Sequence, residues 1–81
     1  MDRNYIIEVI KNIAKENNIK LDVNNLSIGL KEIGVDSLAM MNLIFKIESQ
    51  LKVQLPDEVL VKIKNLDQLI SAFMDQLSKN N

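Results

Sequence analysis

Cysteine, histidine and tryptophan are absent from the 81 residues, and there are only two glycines and one proline. Without cysteine there is no disulfide to staple a small fold and no thiolate nucleophile. Without histidine there is no imidazole base, and the loss of both residue types removes the usual zinc ligands. Hydroxyls, carboxylates and amines are the only side-chain chemistry left, a poor set for autonomous catalysis, so no catalytic residue and no metal site is expected. Long apolar runs are missing too. The longest, Leu38 to Met41, falls far short of the roughly 20 residues of a membrane span or the 7 to 15 of a secretory leader's apolar stretch. The expectation is a soluble, cytoplasmic chain with no membrane insertion. Nor does charge of one sign dominate: ten basic residues meet eleven acidic ones for a net charge of −1. The lysines are scattered singly, with no basic stripe interleaved with aromatics, which argues against nucleic acid as a partner. This even balance suggests a monomer.

What is present is a composition in the globular range, 47% hydrophobic and 26% charged, enough for one domain over residues 1–81 and no second. A chain of this size buries only roughly 60 to 65% of the surface it exposes when unfolded. One thin core is its limit, no deep enclosed pocket is expected, and function belongs on the surface.

Ile6, Val9, Ile10 and Ile13 recur at i, i+3, i+4 and i+7 within Tyr5 to Lys15, the stripe of an amphipathic helix. Asp2 is placed to cap its start, and Asn17 and Asn18 to end it. Residues 19–35 hold both glycines and three Asn or Asp, with no sustained helical period. Leu21, Val23, Leu26, Ile28, Leu30 and Ile33 keep this segment apolar, so it reads as a long connection packed on the core by alternate residues. Such a loop in so small a domain often has a task. A second helix is expected over residues 37–51, with Asp36 as N-cap and Ser37 as its first residue. Pro56 suits the first position of a short helical turn through Val59, Leu60 and Ile63, with Asp57 and Glu58 at the positive end of its dipole. Asn65 caps a last helix whose Leu66, Leu69, Ile70, Phe73, Met74 and Leu77 keep the helical period, with Gln68 at the capping-box position. The fold class is all-α: an antiparallel four-helix bundle of three long helices and one short one, with a long loop between the first two. The alternation in Lys52 to Leu55 also fits a short strand, but no partner strand is evident.

The second helix carries two apolar arcs. Met40, Leu43, Ile44, Ile47 and Leu51 share an arc of about 100°, the width of a core-facing stripe. Leu38, Met41 and Phe45 lie on a separate arc, which is either covered by the long loop or left exposed as a docking patch. At the junction before the helix, Gly34 allows a sharp turn, Asp36 caps, and Ser37 has its hydroxyl beside unpaired backbone amides. That placement favours an anion, and a phosphate joined to the hydroxyl gains from the helix dipole. Asp-Ser at a helix start is equally ordinary capping chemistry. No histidine exists to activate Ser37 as a nucleophile within the chain.

Leu30-Lys31-Glu32-Ile33-Gly34-Val35-Asp36-Ser37-Leu38, the helix after it, the Leu55-Pro56-Asp57-Glu58 turn and the Asn65-Leu66-Asp67-Gln68-Leu69-Ile70 segment together resemble a free-standing acyl carrier protein. Gly-x-Asp-Ser-Leu at this place in a chain of this length, with Pro56 19 residues beyond the serine, is specific in combination. The resemblance implies that Ser37 carries 4'-phosphopantetheine, delivered from coenzyme A by a magnesium-dependent phosphopantetheinyl transferase, and that Asp36 positions the serine. The arm's thiol, not the protein, holds acyl intermediates as thioesters. It also implies that the second helix is read by the transferase and by acyl-loading and acyl-processing enzymes, with Leu38, Met41 and Phe45 as contacts. An acyl chain could slip between helices along Ile44, Ile47, Leu51, Val61, Ile63 and Leu66, residues that plain core packing also explains.

One departure bears on the pathway. Carriers of fatty-acid synthesis usually place several acids on the recognition helix, whereas this chain has Ala39 and Asn42 at two of those positions. Glu48 is the only acid in the helix, opposed by Lys46 and Lys52. Basic partners would lose steering, so a specialised polyketide or nonribosomal-type assembly is expected ahead of fatty-acid synthesis. Two other readings stand beside it: an unmodified helical adaptor, and an aminoacyl carrier for cell-wall modification.

Overall fold

The computed structural model describes residues 2–21 and 24–79. In chain order it contains α1 (Arg3–Glu16), a single 3-10 turn (Leu30–Ile33), α2 (Ser37–Leu51), α3 (Asp57–Leu60) and α4 (Leu66–Lys79). Among the described residues there is no strand, only one isolated antiparallel bridge between Gly29 and Asn65. None of these helices is long and apolar enough to cross a membrane. The expected all-α bundle of three long helices and one short one is present.

The three long helices start where their capping chemistry dictates. The Asp2 carboxylate accepts from the Tyr5 amide at 2.8 Å, and Asp36 does the same for Ala39 at 2.8 Å. At α4 the Asn65 side chain accepts from the Gln68 amide at 2.8 Å. Gln68 in return accepts from the Lys64 amide at 2.7 Å, a capping box reaching one residue further back than usual. α1 ends on Asn17, whose side-chain amide donates to the Ile13 carbonyl at 2.7 Å, followed by Asn18 at φ 60°.

The core is built from the predicted stripes. Ile6, Val9, Ile10 and Ile13 of α1, Leu43, Ile44, Ile47 and Leu51 of α2, and Leu66, Leu69, Ile70 and Phe73 of α4 are all buried. Each fully buried side chain of this kind contributes about 1.5 to 3 kcal/mol. Val53 and Leu55 are buried too; they reach the core from an irregular segment rather than from the strand that was the rival expectation. The domain measures 34 × 24 × 21 Å, so its thinnest dimension is two helix diameters of about 10 Å. Nothing deep can be enclosed in two layers.

The connection from 19 to 35 packs on the core much as expected: Leu30 is buried, and Leu21, Leu26 and Ile33 are half-buried against the core. Ile28 is half-buried, and Val23 lies outside the described residues. What the sequence pattern does not announce is the 3-10 turn over Leu30–Ile33. One expectation is corrected: the α3 turn is shorter than expected, since Pro56 is its N-cap rather than its first residue and the helix stops at Leu60. Ile63 is buried from the following turn, and Val61 is 75% exposed. One turn is too short to present three successive stripe positions to the same neighbour.

Main-chain hydrogen bonds tie the long connection to the start of α4. The Leu30 amide donates to the Lys64 carbonyl at 2.9 Å, and the Asp67 amide donates to the Leu26 carbonyl at 2.9 Å. Arg3 adds a 2.6 Å ion pair to Asp67. Both partners are largely exposed, so the pair adds about 0 to 1 kcal/mol. The backbone bonds fix where the connection lies, and hence where it delivers residues 34–37.

Candidate functional site around Ser37

The approach to Ser37 is set by Gly34, which caps the 3-10 turn at φ 88°. A Cβ there would meet no atom within 4 Å, so the glycine is required by its backbone conformation and not by space. Val35 follows as a buried anchor, its amide donating to the Leu30 carbonyl at 2.9 Å. Asp36 is extended, at φ −80° and ψ −179°, and its backbone carbonyl accepts from the Met40 amide at 2.9 Å. Asp36 thus starts the helix with both its side chain and its main chain.

Ser37 is the first residue of α2 and is exposed. Among the described residues, nothing hydrogen-bonds to its hydroxyl, and the Asp36 carboxylate is turned to Ala39 instead. The hydroxyl therefore stands clear of the chain at the positive end of a helix dipole, beside the Ser37 and Leu38 amides that α2 cannot itself satisfy. A phosphoester fits here: the oxygen is accessible, no internal bond must break to derivatise it, and the added charge meets backbone donors.

The hydroxyl borders a groove of about 220 Å³ between the 3-10 turn and the α3–α4 connection. Val35, Met40 and Ile63 supply its apolar wall, and Lys31, Glu32, Asp36 and Lys64 its charged groups. A shallower depression on the other side of Ser37 is lined by Lys31, Gly34, Val35 and Asp36. Sequence reasoning missed the groove. Met40 carries a partial signal, since it sits at the edge of the core-facing arc and is only half-buried.

The second arc of α2 is not covered by the connection. Leu38 is 72% exposed and Phe45 54% exposed, with Met41 half-buried between them. The charged residues of the helix are otherwise occupied. The Glu48 carboxylate accepts from the Leu55 amide at 2.7 Å, and the Lys46 ammonium donates to the Asn17 side-chain oxygen. Glu48, the only acid in the helix, also braces the turn after α2. Its partner lies seven residues on, in irregular chain, and no local pattern announces it.

A family model described as the phosphopantetheine attachment site matches residues 4–73. An acyl carrier protein homolog of Ureaplasma parvum is 61% identical over 72 residues, covering 89% of this chain and 94% of that protein. Acyl carrier protein homologs of Mycoplasma genitalium and Mycoplasma pneumoniae are 32% and 33% identical over 81 residues, in each case covering 98% of this chain and 96% of the other.

Proposed function

The chain belongs to the phosphopantetheine attachment-site family, as an acyl carrier protein whose prosthetic group is 4'-phosphopantetheine, and from that premise we propose that Ser37 is the residue that bears the arm. The observation that carries the assignment is the free, exposed hydroxyl on the first residue of α2, held there by the Asp36 cap. In the loading reaction the Ser37 oxygen bonds to the phosphorus that bears the pantetheine of coenzyme A. The pyrophosphate bond to that phosphorus breaks, and adenosine 3',5'-bisphosphate departs. The hydroxyl proton passes to a base of the transferase, because this chain has no imidazole to take it. Once attached, the arm supplies the thiol that this cysteine-free chain lacks. The chain's own contribution is to present one oxygen, keep it unpartnered, and display an address for partner enzymes. Intact-mass measurement after incubation with coenzyme A, magnesium and a broad-specificity transferase tests the assignment. One phosphopantetheine is expected on the wild type and none on a folded Ser37→Ala variant; an arm on that variant would move the site elsewhere.

The outward face of α2 supports a finer reading. Leu38, Met41 and Phe45 are the contacts for the transferase and for acyl-loading and acyl-processing enzymes, and the helix offers these partners a single carboxylate, Glu48, one oxygen of which accepts from the Leu55 amide. Such a face suits partners that dock by apolar contact, in a specialised polyketide or nonribosomal-type assembly, in the cytoplasm where coenzyme A is supplied. Association with its own processing enzymes is expected to change little with ionic strength. Rapid, steeply salt-dependent elongation by standard fatty-acid synthases would instead place the chain in fatty-acid synthesis.

A further inference from the structure

Resting on Ser37 as the attachment residue, we propose that the groove beside it cradles the half of the arm nearest the phosphate: Lys31 and Lys64 hold the phosphodiester, and the Val35, Met40 and Ile63 wall takes the gem-dimethyl carbon that follows it.

Three observations carry this. The first is position, since Ser37 itself lines the groove. Whatever is bonded to its oxygen begins at the rim, and the gem-dimethyl group lies only a few bonds further along the arm. The second is charge. Lys31 and Lys64 are the cations among the groove's lining residues, and among the described residues neither ammonium has an ion-pair or hydrogen-bond partner. The other charged groups facing the groove are the carboxylates of Glu32 and Asp36. Lys31 and Lys64 balance these two carboxylates, so the groove is neutral before modification and net −1 once Ser37 is esterified; the lysines act as local donors to the phosphodiester, not as surplus charge, and Lys31 also lines the depression on the far side of the serine. The third is shape. The groove's lining includes Gly29, which sits at φ −66° and ψ 138°, a conformation any residue adopts. Backbone strain therefore does not call for a glycine at 29. A Cβ there would lie in ordinary contact with the Glu32 side chain, 3.6 Å away, and a large side chain would fill the groove.

Because the groove lies against Ser37 itself, it is the segment of the arm nearest the phosphate that meets it. The thiol end stays free to reach partner active sites, while the first segment is held against the protein and restricts the directions in which the arm sweeps.

The test uses the holo-protein, with one arm per chain first established by intact mass; absence of the arm overturns the Ser37 assignment itself and is recognised before any cradle measurement. With the arm present, NMR on labelled protein is expected to show nuclear Overhauser contacts from the gem-dimethyl protons to Met40 and Ile63, and amide shifts at Lys31 and Lys64 relative to the apo form. Gly29→Phe is expected to abolish the methyl contacts while leaving modification complete. The double variant Lys31→Gln/Lys64→Gln, at two exposed positions, is expected to weaken them, as is high salt in the wild type. Sharp, contact-free gem-dimethyl signals on fully modified wild type overturn the proposal. So do contacts that persist unchanged in Gly29→Phe. If Gly29→Phe does not fold, the lysine variant decides: unchanged contacts and amide shifts there overturn the role given to the two ammonium groups.

Discussion

Asp36 performs two tasks that substitutions can separate. Its carboxylate caps α2 through Ala39, and its charge stands next to Ser37, the proposed attachment residue. Asp36→Ala removes both and is expected to cost about 0.5 to 2 kcal/mol, the usual range for a lost N-cap. Asp36→Asn keeps a capping oxygen and is expected to stay close to wild type in urea unfolding. Equal losses for both variants would show that charge, not the cap, holds the helix start. At this scale the sequence was readable, because capping is a local affair: Asp2, Asp36, Asn65 and Gln68 all act within four residues of themselves. Glu48 was unreadable for the opposite reason. Its acceptor role depends on Lys52 adopting φ 60° and on the chain then folding back to bring Leu55 within reach.

Among the elements, α2 shows how one helix serves two masters. One stripe enters the core and the opposite arc, with Leu38 and Phe45, faces solvent. The periodicity located both arcs but could not say whether the connection covered the second; the backbone bonds that draw residues 26–30 toward α4 and away from that arc settle it. The turn after α2 is a second case. It buries Val53 and Leu55 without regular structure, so the Leu55 amide relies on the Glu48 side chain. Glu48→Ala is expected to cost about 1 to 3 kcal/mol, the range for leaving a part-buried donor unpaired, whereas Glu48→Gln retains an acceptor and is expected to recover most of it. Chemical denaturation of the two variants measures the difference, and a Gln variant as weak as Ala would mean the charge itself is needed. The 3-10 turn escaped notice at this scale because four residues are too few for a period to register, and the end of α3 at Leu60 escaped it for the same reason.

For the whole molecule, thinness governs. With about 0.05 to 0.15 kcal/mol per residue, a chain of this length has about 4 to 12 kcal/mol of total stability. Phe73→Ala removes the largest fully buried side chain and is expected to cost about 3 to 5 kcal/mol, enough to bring the fold to its limit. Leu38→Ala and Phe45→Ala remove exposed groups and are expected to change stability by no more than about 0.5 kcal/mol while weakening capture by the transferase. Thermal unfolding paired with the modification rate separates these classes, and a Phe45→Ala variant that melts like Phe73→Ala would turn the docking face into a structural one.

The main-chain stitching of residues 26–30 to the turn before α4 has a mechanical consequence. When a partner enzyme tugs on a group fastened at residue 37, the pull enters next to the irregular connection. The two bonds, Leu30 to Lys64 and Asp67 to Leu26, pass that load into the start of the last helix within a few residues. A delivery domain can thus be handled repeatedly at one point without unravelling there.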